Sequence, residues 1–290
     1  MKGQNKKRAS AVLKMSLTVM SLLQRVSGRT LQICLVLLFT VASAIGARAD
    51  GCPTATDEIA TDRPDVTNSS VVVPLGSLQS ENGVNLSSRN SSQIIDGTNT
   101  RWRVGIASCL ELLVDLPTYS TPVRGSGSSG FSDVSPAIKW QISPTPGKFD
   151  SSVVVGVGLP TGTVDIAGRG VQPYLQTPWS WELNGGWGVS GMLTEFFRPS
   201  DAVIPHITEA TFAIEKDVTD KTSLFVEYVG DYAERASPSQ LLNSGGFYRL
   251  SPTQQIDFHI AFGLNHNAPS YSVGVGYSFR FDGVFAGKPK

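Results

Sequence analysis

The sequence predicts an all-β protein: a transmembrane, up-and-down antiparallel β-barrel of about twelve strands behind an N-terminal signal peptide. Three observations carry this. From Leu78 onward, apolar and polar residues alternate with a period of two in one run after another, the pattern of strands with one face against an apolar medium. The connections between these runs alternate between short and long, as they do between the periplasmic turns and external loops of an outer-membrane barrel. The chain also opens on an export signal, and no stretch after residue 50 approaches the roughly 18 apolar residues of a membrane helix.

Residues 1–49 contain eight basic residues (Lys2, Lys6, Lys7, Arg8, Lys14, Arg25, Arg29 and Arg48) and no Asp or Glu. A basic region precedes an uncharged run from Thr30 to Ala47, and Ala47-Arg48-Ala49 forms an A-x-A cleavage pattern. We expect a secretory signal peptide removed after Ala49; an uncleaved anchor is the alternative, because the uncharged run approaches spanning length. The remainder holds 16 basic and 24 acidic residues, a net charge of −8, which argues against nucleic-acid binding. Only 17% of the 290 residues are charged and 29 are Gly, which disfavours a disordered tail or a coiled coil.

Residues 50–76 contain turn formers without a clear period and read as an N-terminal periplasmic segment or plug outside the main sheet. The barrel is expected over 77–285, with a tail at 286–290. Its first strand sets Leu78, Val84 and Leu86 against Gln79, Glu81, Asn85 and Ser87. Trp102, Val104 and Ile106 then oppose Arg101 and Arg103; beyond a tight turn near Ser108-Cys109, Leu110, Leu112, Val114 and Leu116 oppose Glu111 and Asp115. Val134, Ile138, Trp140 and Ile142 oppose Asp133, Lys139 and Gln141, and Pro144 marks the following turn. Val153 to Leu159, Trp179 to Leu183 and Trp187 to Leu193 follow, the last two joined by Asn184-Gly185, the strongest hairpin signal in the chain. Phe212 and Ile214 face away from Glu215, and Leu224, Val226, Tyr228 and Tyr232 from Glu227 and Asp231. A weak strand at 245–250 precedes Ile256 to Phe262, set against Asp257 and His259. The closing strand sets Tyr271, Val273, Val275, Tyr277, Phe279 and Phe281 against Gly274, Gly276 and Arg280. Long external loops are expected near 88–99, 118–131, 161–175, 198–204, 233–243 and 264–270.

A soluble β-sandwich alternates in the same way, with its apolar faces turned to a core instead of to lipid. The barrel is favoured by Trp102, Trp140, Trp179, Trp187, Tyr232 and Tyr271 near strand ends, where aromatic girdles belong, and by opposite faces of Gly, Ser and charges of both signs. A resemblance points the same way. Thr61-Asp62-Arg63-Pro64-Asp65, Val71-Val72-Val73-Pro74, Gly158-Leu159-Pro160-Thr161-Gly162, Phe225-Val226-Glu227-Tyr228 and the closing Val273–Phe281 stretch occur in order over roughly 60–281. Together they resemble a bacterial outer-membrane family named for the meta-pathway of phenol degradation and often called "transporter". The resemblance implies an outer-membrane barrel that moves small, often aromatic or hydrophobic, compounds.

Inward-facing charges are the main candidate functional groups: Arg101, Arg103, Glu111, Asp115, Lys139, Glu215, Glu227, Asp231, Asp257 and Arg280, with His259 beside Asp257. Buried charge is costly unless paired or wet, so they line either a hydrated lumen or a salt-bridge network that closes it. Thr61-Asp62-Arg63-Pro64-Asp65 reads as a capped turn that anchors the N-terminal segment, or as a plug at the periplasmic mouth or a docking motif. Cys52 and Cys109 are positioned to form a disulfide on the periplasmic side of an exported protein. No metal site and no cofactor is expected. The expected partners are outer-membrane lipid, a small-molecule permeant and the outer-membrane assembly machinery. The leading reading is therefore passive passage of small molecules through the lumen. The alternatives are a barrel lipid hydrolase, for which His206 and His266 are the rim candidates and a His259–Asp257 dyad is conceivable, and a non-conducting structural barrel.

Overall fold

The computed structural model describes residues 52–89, 91–142, 149–167, 170–198, 206–234 and 236–285. The expected signal peptide and its cleavage site, the turn at Pro144, most of the 198–204 loop and the 286–290 tail lie outside these residues. Sixteen segments form one antiparallel sheet: β1 (Leu78–Arg89), β2 (Ser92–Gly97), β3 (Arg101–Ala107), β4 (Leu110–Asp115), β5 (Tyr119–Arg124), β6 (Gly130–Phe131), β7 (Ser135–Gln141), β8 (Phe149–Gly158), β9 (Gln172–Gln176), β10 (Trp179–Leu183), β11 (Trp187–Phe197), β12 (His206–Thr219), β13 (Thr222–Ala233), β14 (Ser239–Ser251), β15 (Gln254–Gly263) and β16 (Tyr271–Phe281). β16 pairs with β1 from Leu78 opposite Phe281 to Ser88 opposite Tyr271, so the sheet closes into a barrel.

The sixteen segments make twelve spans. Eight are continuous, and four are built of two segments each: β2 with β3, β4 with β5, β6 with β7, and β9 with β10. The interruptions fall at 98–100, 116–118, 132–134 and 177–178. Pro117 and Pro178, which have no N–H for the ladder, sit in two of them. Single backbone bonds carry the wall across the gaps, from Leu116 N–H to Thr100 O at 2.9 Å and from Ser132 N–H to Thr118 O at 2.9 Å.

The interruptions explain where the expected loops differ from the structure. The loop expected over 88–99 is mostly strand: β1 turns directly into β2, and the period restarts out of phase after the break at 98–100. The loop expected over 118–131 contains β5 and β6. β5 carries Pro122, which argues against a strand, yet a register shift against β2 between Gln93 and Ile94 accommodates it. β14 likewise begins at Ser239, inside the loop expected over 233–243.

Burial is inverted relative to a soluble protein. Trp102, Phe258, Val275 and Phe281 point outward and are exposed, whereas Arg103, Glu111, Lys139 and Glu227 point inward with 0% exposure. In water that arrangement would place a band of apolar surface in solvent; in a bilayer it puts apolar side chains against lipid. The inversion excludes the sandwich. Residues 52–77 precede β1; residues 54–58 and Leu75 are exposed, whereas Ile59, Asp62, Thr67, Asn68, Val72 and Val73 are buried inside the barrel.

Candidate functional site

The N-terminal segment enters at the rim that carries the short turns, reaches mid-wall and returns. On the way in, Ile59 N–H donates to Pro252 O in the β14–β15 turn at 2.8 Å. The carbonyl of Ala60 accepts from Gln79 Nε2 at 2.8 Å and from Arg103 Nη1 at 2.9 Å. At the apex, Val66 and Thr67 donate their N–H groups to the Glu227 carboxylate at 2.9 and 2.7 Å, and Asn68 Nδ2 reaches Gln176 Oε1 at 2.9 Å. On the way out, Lys139 Nζ donates to Ser69 O, Arg103 Nη2 to Val71 O, and Val73 N–H donates to Glu111 at 2.6 Å. A segment without secondary structure leaves its backbone groups without partners, and the wall's inward side chains supply them.

The same side chains form a compact ion cluster. Three cations, Arg101, Arg103 and Lys139, meet four carboxylates, Asp62, Glu81, Glu111 and Asp115. Asp62 is the segment's own contribution: it accepts from Arg101 at 2.9 Å, from Lys139 at 3.0 Å, and from Ser69 N–H at 2.9 Å, and lies 3.3 Å from Arg103. Its N–H donates to Glu81 at 2.8 Å. Burial pushes the Asp62 carboxyl up, but Arg103, Lys139 and Arg101 outweigh burial and hold it well below the usual carboxylate range. Asp65 is the opposite case: burial, then the neighbouring Glu227 and Glu215, raise its carboxyl well above the usual range.

Arg63 lies across the closing seam and reaches Asp257 at 3.3 Å. Gly83 and Gly276 face each other in the β1–β16 register, and a Cβ on either would collide with the Arg63 guanidinium. The paired glycines make the slot in which Arg63 lies. Both ends of the segment are fastened to one hairpin. Gly76 N–H donates to Gly105 O at 2.8 Å and Gly105 N–H to Ser77 O at 3.1 Å, at the end of β3; a disulfide joins Cys52 to Cys109 in the β3–β4 turn, with Cα atoms 5.3 Å apart.

The remaining candidates fall at several places. Arg280 donates to Asp282 at 2.8 Å and to Asp57 O at 2.7 Å, holding the start of the segment. Glu215 lines the cavity on the short-turn side, and Asp231 faces Glu209 in the β12–β13 register. His259 does not form a dyad with Asp257. Its ring nitrogens face Asn243 Oδ1 at 3.3 Å and Asn85 Oδ1 at 3.2 Å, while Asp257 is taken by Arg63. His206 pairs with Glu195 at 2.5 Å, and His266 lies in the β15–β16 loop. Thr61–Asp65 is fastened to the inside of the wall, where its partners are Gln255, the ion cluster and Asp257. Among the described residues, no group of three or more His, Cys, Asp or Glu is placed to hold a metal ion.

Sequence reasoning did not single out Asn68, Thr67, Gln176 and Asn243. Glu81 and Gln79 were visible on the polar face of the first strand, and that alternation was the available signal. An outer cavity of about 580 Å³ and an inner one of about 570 Å³ flank the segment, and Arg63, Asp65 and Asn68 line both; a further cavity of about 380 Å³ lies beside Val71–Pro74.

A closed barrel with an apolar outside, a charged lumen and a segment of its own chain seated across that lumen defines a barrel of the outer-membrane type. The family model described as "Putative MetA-pathway of phenol degradation" matches residues 61–281, and the chain belongs to that family. The fold is similar to that of an outer membrane channel from Pseudomonas putida F1, at 13% identity and a TM-score of 0.56 over 72% of this chain and 97% of the other. It is also similar to the NanC porin, at 9% identity and a TM-score of 0.50 over 70% of this chain and 98% of the other. No curated protein sequence matches the chain.

Proposed function

We propose that this protein is an outer-membrane channel that passes small, aromatic or hydrophobic molecules by passive movement through its lumen, with the segment over 60–73 as the element a permeant must displace or skirt. The observation that carries this reading is the pair of cavities on either side of that segment, which share Arg63, Asp65 and Asn68 as a septum. The outer cavity combines Leu116, Tyr174 and Phe196 with charged groups, which suits a molecule with an apolar body and one polar end. In this reading the chain is exported by its signal peptide, handed to the outer-membrane assembly machinery and seated in outer-membrane lipid. It needs no cofactor and makes no covalent intermediate. The Cys52–Cys109 bond and the lumen charges serve the segment's seat instead of chemistry.

The test is uptake into liposomes by the refolded protein, with folding checked by heat-modifiable gel mobility. Neutral aromatics are expected to enter faster than into protein-free liposomes, and planar-bilayer conductance is expected to be small because the septum is in place. Folded protein that accelerates no solute would refute the channel.

A further inference from the structure

The outer cavity has the 62–68 stretch as its floor and Ile166 and Ala167 of the β8–β9 loop on its far side. Tyr174 and Phe196 form an aromatic ledge, with ring centroids 6.1 Å apart. Asp62, Asp65, Glu81, Asp115 and Asp133 also line this space, and Asp62, Glu81 and Asp115 among them are paired within the ion cluster. Two guanidiniums, those of Arg63 and Arg101, line it as well, and that of Arg101 is fully committed. Arg101 gives its Nε and Nη2 to the two oxygens of Asp115 at 2.6 and 3.0 Å, and its Nη1 to Asp62 at 2.9 Å and Asn68 at 3.0 Å. Arg63 is held by Asp257. The planar fork of Arg101 is therefore already filled by one of the protein's own carboxylates, while the Arg63 Nε lies buried against Gly276.

We propose that the outer cavity is a binding site for small aromatic molecules with a neutral or cationic end group, and that it rejects aromatic carboxylates. The site rests on the channel reading above and deepens it by naming the class of molecule admitted. A ring lying on Tyr174 and Phe196 places its end group among the carboxyls, where a hydroxyl donates a hydrogen bond and an ammonium also gains charge attraction. A carboxylate there meets like charge and finds the Arg101 fork only by displacing Asp115. Burial and the neighbouring Glu227 and Glu215 raise the Asp65 carboxyl well above its usual range; leaving Asp65 aside, Asp62, Glu81, Glu111, Asp115 and Asp257 are five carboxyls against the four cations Arg63, Arg101, Arg103 and Lys139.

Tyramine, tyrosol and 4-hydroxyphenylacetate share a ring and differ at the end group, so equilibrium dialysis against the protein in nanodiscs, corrected with empty nanodiscs, reads the selectivity directly. Tyramine and tyrosol are expected to bind at least about tenfold tighter than 4-hydroxyphenylacetate. Asp115→Asn frees the Arg101 fork and is expected to tighten 4-hydroxyphenylacetate by about tenfold while leaving tyrosol within about twofold. Phe196→Ala should weaken tyramine and tyrosol together and keep their order. If Asp115→Asn does not fold, salt takes its place: raising ionic strength should shrink the tyramine preference over 4-hydroxyphenylacetate. Binding of the carboxylate as tight as tyramine, no binding of any of the three, or an order that neither Asp115→Asn nor salt alters would overturn the proposal. Because dialysis reads binding and liposomes read passage, a barrel that binds in this order but passes nothing loses the channel and keeps the site.

Discussion

Asp62→Asn is the substitution that separates the segment's seat from the barrel's own stability. The carboxylate, 1% exposed at its side chain, serves three cations and one backbone N–H. Removing one partner of a buried ion pair costs about 3–5 kcal/mol when the other charge is left bare. Here none is left bare: Arg101 keeps Asp115 at 2.6 Å, Arg103 keeps Glu81 and Glu111 at 3.0 Å each, and Lys139 keeps Glu111 at 3.2 Å. The cost therefore falls near the lower end, about 3 kcal/mol, and it falls on docking, because Asp62 is the cluster's sole member from the segment while the other six belong to the wall. At 1.4 kcal/mol per factor of ten, that is a rise of roughly a hundredfold in the undocked population. Hydrogen exchange read by mass spectrometry on the 60–73 peptides should show that loss of protection, while peptides from β13 to β15 keep theirs. Planar-bilayer recordings should show larger or more frequent conductance steps. Unchanged protection and conductance in a folded Asp62→Asn barrel would refute the argument that the ion cluster seats the segment.

Three further outcomes follow from the same geometry. Asp65 has a native pKa raised above its ordinary 3.8, so its contribution to docking is complete below that value and is lost as pH rises through the raised one. Exchange of the 60–73 amides, corrected for its intrinsic rate, should thus speed up as pH rises above the ordinary carboxylate range, and Asp65→Asn should flatten that dependence. Gly83→Val places a side chain where the Arg63 guanidinium lies, and should free Arg63 from Asp257 with a loss of about 1–3 kcal/mol in urea-induced unfolding; a variant as stable as the parent, with Arg63 still protected from a dicarbonyl reagent, would count against the slot. Thiol alkylation with and without reductant should find Cys52 and Cys109 blocked in the exported protein, whereas two free thiols would remove the bond from the account of the segment.

Much of the barrel can be read from sequence because its period of two is enforced twice, by lipid outside and by charged partners inside. The run from Val273 to Phe281 and the hairpin at Asn184-Gly185 are clear for that reason. Legibility fails where the wall breaks. Gly97 to Thr100 and Leu116 to Thr118 interrupt the alternation, so β2 and β5 look like loop although β2 pairs with β1 along its length and β5 pairs with β2 through a register shift. The inward charges are legible one by one through strand parity, but their partner is not. Residues 60–73 have no period, since each backbone group answers a different wall side chain, and nothing local in Thr61–Asp65 says that Asp62 will meet Arg103 and Lys139 from spans distant in sequence.

The anchorage of the segment has a mechanical consequence. Cys52 and Ser77 are both made fast at the β3–β4 hairpin, so the chain between them is a bight and not a loose end. A loose end can be threaded out of a barrel, gripped and pulled away. A bight made fast at both ends can only flatten or bulge, and each excursion begins and ends at the same two cleats on the rim. Whatever pushes this segment aside therefore works against a stop that brings it back.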